Sequence, residues 1–344
     1  MPTMYAPSIE KSYNVELDDD EYISKWLQNR KSSTQKYYRR AMVLYSQFLR
    51  EKSKPMTPKK MLIVWGREDS LDPWERGETK RRVIKYNRWL TEKRDYSSNT
   101  AKTYTAGIAN FYDVFNVPLG IDWAQEVVGY RRPKNTSVML NANQVEKMAY
   151  YAPTLRDKAI MWCMFQGCMD IGTALSLNWS HVMREIDDPP KGAIMLRELR
   201  RIKQKGKPLI FDTFVYKTAT KHLRMYLEER CGKNFHSKLD YDDPLFVSKY
   251  NERLQPDIFR TVMREVAHAS GIEKERFERA GINPLRPHAL RASGQNELSH
   301  AQANQEFVNY IAGHRISYDS AYYRGGERIR EEYVTFAERA RKRC

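Results

Sequence analysis

A spacing constrains this chain more than anything else in it. Large apolar residues return at three- and four-residue steps through most of its length, the interval at which an α-helix repeats one face. Tyr38, Ala41, Tyr45, Phe48 and Leu49 keep this step after Ser32-Ser33-Thr34, a run able to cap a helix N-terminus. Val83, Tyr86, Trp89 and Leu90 keep it again. So do Tyr104, Ile108, Phe111, Tyr112 and Phe115, between the cap Ser97-Ser98-Asn99-Thr100 and the stop at Pro118. The two serine-capped helices echo each other weakly, either as a repeat or through shared capping chemistry. An all-helical first domain is expected over 20–119, after an extension over 1–19.

The step is lost over 120–142, a linker holding Arg131-Arg132-Pro133-Lys134-Asn135. It either lies against an anionic partner or is a plain solvated connection. A second helical run is expected over 143–179, with the apolar block Ala159 to Phe165 inside it. After Pro189-Pro190, Ala193-Ile194-Met195-Leu196 and Pro208-Leu209-Ile210-Phe211 flank the cationic segment Arg197 to Lys207, which reads as a β-hairpin with a basic tip. Helices are expected again over 218–230, 256–269, 289–298 and 305–311, and in a charged tail over 327–344. The fold class is mainly α with one small β-hairpin, α+β overall, with the second domain over 143–344.

Charge narrows the partner. The chain carries 59 Lys and Arg against 43 Asp and Glu, a formal net charge of +16. An excess of this size attracts polyanions, of which nucleic acid is the commonest. It is interleaved with aromatics, as in Lys36-Tyr37-Tyr38-Arg39-Arg40. Lys36, Arg39 and Lys102, with linker residues Arg131, Arg132 and Lys134, are the candidate phosphate contacts, although any single run is as well explained by a solvated helix face. No stretch approaches the ~18 apolar residues of a membrane span, and residues 1–20 have no signal-peptide core, so a cytoplasmic, DNA-associated location is expected. Four scattered cysteines lack metal-ligand spacing, and Cys163 and Cys168 read as core thiols. No metal, cofactor or disulfide is expected.

The chemistry-bearing residues cluster late. His288-Ala289-Leu290-Arg291 is followed by Gly313-His314 and, nine residues after that histidine, by Tyr323. H-x-x-R, G-H and a tyrosine in this order resemble the tyrosine recombinase, or phage integrase, family. Leu175-Ser176-Leu177-Asn178-Trp179 and Asp243-Pro244-Leu245-Phe246 extend the likeness upstream. Tyr322-Tyr323 followed by Glu331-Glu332-Tyr333 resembles its archaeal and archaeal-virus branch.

The resemblance implies a helical core-binding domain of SAM-like type and a catalytic domain closing on double-stranded DNA. It further implies a protein that is monomeric or dimeric when free and tetrameric on DNA, located at the nucleoid, or in the host cell if viral. Tyr323 is implied as the nucleophile, since a phenol attacks phosphorus once it sheds its proton. Arg291 is implied as a phosphate clamp, because a guanidinium stays charged and binds oxygens in pairs. His288 and His314 would donate to phosphate or accept the tyrosine proton. Lys205 of Gln204-Lys205-Gly206-Lys207 would protonate the leaving oxygen, with Lys203 and Lys207 as rivals. No metal is implied, because a phosphotyrosine bond conserves the energy of the cleaved linkage. Each motif residue also has a plain structural reading: His288 as a helix cap, His314 as a buried histidine. Tyr322 is separated from Tyr323 only by the register from His314.

One position departs from the pattern. The family's first arginine should stand seven residues before Leu177, where this chain has Asp170. Arg201, Arg197 or Arg200 from the hairpin are the candidate replacements. The alternative is a recombinase-derived protein that binds DNA and cuts it poorly. A type IB topoisomerase-like enzyme shares the tyrosine chemistry, but the first domain speaks against it. A plain transcription factor leaves the H-x-x-R to tyrosine spacing unexplained.

Overall fold

The computed structural model describes residues 20–52, 55–127, 138–201, 209–272, 284–314, 316 and 326–342. The chain divides into two compact units, Met1–Lys134 and Asn135–Cys344.

The first unit is helical: α1 Glu21–Leu27, α2 Ser32–Lys52, α3 Pro58–Asp69, α4 Glu78–Glu92 and α5 Ser98–Val114. Its core is aromatic, as the apolar step requires. Trp26 stacks on Tyr38 and meets Phe111 edge-on, and Tyr37 stacks on Tyr104. Ser97 caps α5 as expected, its hydroxyl accepting the Thr100 N–H. The Ser32-Ser33-Thr34 run, expected to supply a cap, lies inside α2, which begins at Ser32. Glu68, at the end of α3, accepts the N–H of Gly77 and both the N–H and hydroxyl of Thr79, which pins the start of α4. Residues 120–127 fold back on this unit through the Lys80–Glu126 ion pair and a bond from Lys80 Nζ to the Gly120 carbonyl.

The second unit places helices around one hairpin. The single helical run expected over 143–179 is broken into α6 Ala142–Tyr150, α7 Leu155–Gln166 and the short α8 Ile171–Leu175. The physical causes are local. Thr154 caps α7 after Pro153, and Cys168 takes a left-handed φ of 49° that no helix continues through. The hairpin strands are longer than expected, because pairing extends into the basic segment: β1 Ala193–Arg201 lies antiparallel to β2 Leu209–Tyr216. Then come α9 Lys217–Cys231, α10 Pro256–Ser270, α11 Pro287–His300, α12 Gln305–Ile311 and α13 Gly326–Arg341.

One core packs α6, α7, α9, α10 and α11 against Ile194, Leu196, Leu199, Phe211 and Val215 of the hairpin. A second sits beneath α13, where Ile329, Tyr333 and Phe336 meet Met195, Phe214 and Phe307. The charged tail, α13, packs on its own domain. Among the described residues, no helix is long and apolar enough to cross a membrane.

Candidate active site

The site begins with one close helix contact. Gly294 on α11 faces α7 so tightly that a Cβ there would lie 1.8 Å from the Phe165 carbonyl oxygen. Any side chain would push the helices apart, so glycine is required. One residue earlier, Ser293 is fully buried and its hydroxyl accepts the Leu140 N–H, fixing the entry to the second unit. Arg291 lies one turn before Gly294 on α11 and is thereby carried into the interior, 3% exposed.

Its guanidinium joins two loops. Nη1 donates to the Cys168 carbonyl at 2.8 Å and Nη2 to the Ala312 carbonyl at 2.6 Å. Cys168 stands in the turn between α7 and α8, two residues before Asp170. Ala312 stands at the end of α12, two residues before His314. Burial pushes the Cys168 thiol up to about 12, against the opposing pull of Arg291, so this sulfur is no nucleophile.

The G-H turn is set by contact as much as by conformation. Gly313 has φ +63°, and a Cβ on it would sit 2.6 Å from the Phe211 ring of β2. Both facts demand glycine. The half-buried His314 follows, its backbone N–H reaching the Asn309 carbonyl at 2.8 Å. His288 is exposed, one turn before Arg291 on α11. It does not cap that helix. Arg286 holds the cap position and Pro287 opens the first turn. His288, Arg291 and His314 are therefore gathered by one helix and one turn, with Arg291 as the link.

Comparison with known proteins identifies the family. The phage integrase family matches residues 139–325, more than half of the chain. The chain belongs to the phage integrase family. Three solved structures share its fold. The XerH site-specific recombinase in a pre-cleavage complex with its difH substrate is 15% identical, with TM-score 0.54 over 91% of this chain and 84% of that one. A post-cleavage complex of XerH on palindromic difH is 12% identical, with TM-score 0.53 over 97% and 92%. A lambda integrase dimer on a COC′ core site is 14% identical, with TM-score 0.50 over 93% and 77%. No curated protein matches by sequence.

Several expected residues of this integrase-family site fall outside the described residues: Tyr323, Tyr322, Lys205, Lys203, Lys207, Arg131, Arg132 and Lys134. Arg201 is described in its backbone alone. In the first unit Lys36 is exposed and Arg39 half-buried, and Lys102 Nζ donates to the Trp123 carbonyl at 3.5 Å. The described tyrosines near the integrase site are committed elsewhere. Tyr333 is buried on Phe214 with its hydroxyl donating to the Gln166 carbonyl, and burial holds its pKa well above the ordinary value. Tyr310 bonds Asp212, and Tyr216 bonds Glu338.

Asp170, at the family's first-arginine position, caps α8: its carboxylate accepts the Thr173 N–H at 3.1 Å. In the sequence alone Asp170 stands out only as a missing cation. The signal of its role was present in Asp170-Ile171-Gly172-Thr173, a cap residue opening a short helix. Nothing in the sequence singles out Gly294, which only a three-dimensional contact distinguishes.

Proposed function

We propose that this chain is a site-specific recombinase or integrase that cleaves and rejoins double-stranded DNA through a 3′-phosphotyrosine on Tyr323. The observation that carries the reading is Arg291: a buried guanidinium held between the Cys168 and Ala312 carbonyls, tying H-x-x-R to the G-H turn. A guanidinium fixed by two carbonyls is aimed before any phosphate arrives, which is what a clamp on a phosphate needs.

In the proposed reaction the Tyr323 oxygen attacks phosphorus and gives its proton to His288 or His314. The P–O5′ bond breaks, and Lys205, or its neighbours Lys203 and Lys207, protonates the departing 5′-oxygen. Rejoining runs the same steps backwards, so no external energy is consumed. Arg291 binds the non-bridging oxygens while charge builds on them. The core-binding domain of 20–119 and the linker with Arg131, Arg132 and Lys134 hold the duplex by its phosphates. Strand exchange is carried out by a tetramer on DNA. The Tyr322-Tyr323 pair supports an archaeal or archaeal-virus type. A weaker reading, a DNA-binding protein that no longer cuts, is favoured only by the carboxylate at Asp170.

The test is covalent trapping on a pool of nicked duplexes with randomised sequence. Release of a short fragment at the nick prevents rejoining, and trapped DNA reveals the cleaved site. Parent protein is expected to form an adduct resistant to detergent, and Tyr323→Phe none. Loss in Tyr322→Phe alone would move the nucleophile by one residue. No adduct from the parent would leave the DNA-binding reading.

A further inference from the structure

Gly294 and Phe165, which bring α11 and α7 into contact, also border a cavity of about 420 Å³ in the second unit. Small side chains leave it open. Ala142 begins α6, and Ala337 and Ala340 lie on the last turns of α13. Larger residues fasten α13: Ile329, Tyr333 and Phe336 are buried, and the Tyr333 hydroxyl is anchored on the Gln166 carbonyl. The helix is thereby held at a distance that Ala337 and Ala340 do not fill. The space lies within the roughly 300–1,000 Å³ of small-molecule sites.

Walls and rim differ in chemistry. Trp162, Phe165, Leu298 and Tyr333 are buried, so the walls are apolar and mostly aromatic. The rim sets Glu146 and Glu297 against Lys217 and Arg341, equal in charge of either sign. Lys217 is further occupied, 3.6 Å from Glu338 and over the Tyr216 ring. A charged ligand gains little from such a rim while giving up its hydration. One polar atom of the walls stands apart. The Gln166 side chain accepts the Tyr216 and Ala219 N–H groups, and Tyr333 is bonded as above. Trp162 Nε1 is buried with no partner among the described residues, its ring edge-on to Phe165 and parallel to His222. A buried N–H without an acceptor costs free energy, which a bound acceptor relieves.

We propose that this cavity binds an uncharged, flat molecule of fused aromatic rings, with a carbonyl on its edge that accepts from Trp162 Nε1. An apolar cavity of about 150 Å³ takes one benzene, so this one holds about two or three fused rings. The ligand touches α13 on one side and α7 and α11 on the other, so it binds only while α13 is docked. By linkage it then holds α13 in place. α11 carries Arg291, and α13 starts at Gly326, three residues after Tyr323. The cavity is a place from which a small molecule controls the segment that follows Tyr323. This goes beyond the recombinase reading and does not depend on it.

The test titrates the full chain with 2-quinolinone, a two-ring carbonyl compound. Naphthalene matches its size without the carbonyl, and 2-naphthoate adds a charge. By calorimetry 2-quinolinone is expected to bind roughly tenfold more tightly than naphthalene, the worth of one hydrogen bond. It should also bind more tightly than 2-naphthoate. Trp162→Phe keeps an aromatic wall and removes the N–H, so it should bring 2-quinolinone to the affinity of naphthalene. Ala337→Phe fills the space and should abolish binding of both neutral compounds with the urea midpoint kept. Ala340→Leu, nearer the end of α13, does the same if the first variant does not fold. Bound 2-quinolinone should slow amide hydrogen exchange along α13 and leave the helices of the first unit unchanged. No binding to the parent, or undiminished binding in a folded cavity-filling variant, overturns the site. Equal affinity for 2-quinolinone and naphthalene overturns the carbonyl, tighter binding of 2-naphthoate overturns the neutral ligand, and unchanged exchange in α13 overturns its control. The titrations contain no DNA, so their failure leaves the recombinase reading standing.

Discussion

The two faces of the β1–β2 hairpin each lie against a buried arginine, and the two arginines are held differently. On the Thr213–Phe211 face, Arg291 is gripped by the carbonyls of Cys168 and Ala312. On the face covered by α13, Arg330 is fully buried and bound by carboxylates, at 2.6 Å from Glu185 and 3.5 Å from Glu327. Glu185 in turn accepts the Met195 N–H of β1. The carboxylates neutralise Arg330 and make it a brace, whereas the two carbonyls hold Arg291 between the turn before α8 and the G-H turn. The same residue type at similar depth thus meets different partners on the two faces; under the recombinase reading one is a fastening and the other a phosphate clamp. That face also carries Tyr333, whose ring packs on Phe214 and so has a structural use.

The contrast breaks most easily at Arg291. Arg291→Ala removes the clamp and leaves two buried carbonyls without their donors. Adduct formation should fall by at least about 10²–10³-fold, and stability by about 3 kcal/mol, since each orphaned group costs ~1–3 kcal/mol. Arg291→Lys keeps the charge, but a single ammonium replaces a planar fork, so it should fall between the two. Trapping kinetics and urea midpoints measure both. An unchanged midpoint in the alanine variant would mean that the carbonyl anchors do not matter.

Arg330 should show the reverse profile. Arg330→Met strands the Glu185 carboxylate, only 18% exposed, and should cost about 3 kcal/mol, as broken buried pairs do. Arg330 also leaves Nε and Nη1 without acceptors among the described residues, so the pair is imperfectly satisfied. Removing both charges in Arg330→Met/Glu185→Gln should therefore recover most of that loss. The folded fraction should trap DNA at the parental rate throughout. A drop in rate per folded molecule would make Arg330 more than a brace.

Sequence revealed the fold class because the apolar step survives wherever a helix has one buried face, as along Tyr38 to Leu49. It concealed the breaks in the run over 143–179, because Ala159 to Phe165 is buried all round and carries no face to read. The motif order selected Arg291, His288 and His314 because their chemistry is rare at that spacing. It could not choose among Arg197, Arg200 and Arg201, since the faces of this strand depend on the register shift between Leu196 and Leu199. Gly294 was illegible for the same reason: its constraint is the Phe165 carbonyl, 129 positions away in the chain.

Asp170 gives the smallest expected effect and the sharpest test of the site face. Asparagine caps a helix about as well as aspartate, so Asp170→Asn should change stability by no more than about 0.5 kcal/mol. It also removes a negative charge at the α8 N-terminus, two residues from the carbonyl that holds Arg291. If that carboxylate only caps, the variant should trap DNA somewhat faster, because one like charge no longer opposes the phosphate. The gain should not exceed about fivefold, the effect of ~1 kcal/mol between unit charges near water. A slower variant with an unchanged urea midpoint would mean the opposite: the carboxylate takes part in the reaction, as a proton acceptor or by fixing a neighbouring cation. The two faces would then differ less than their arginines suggest, since each would pair its cation with an acid.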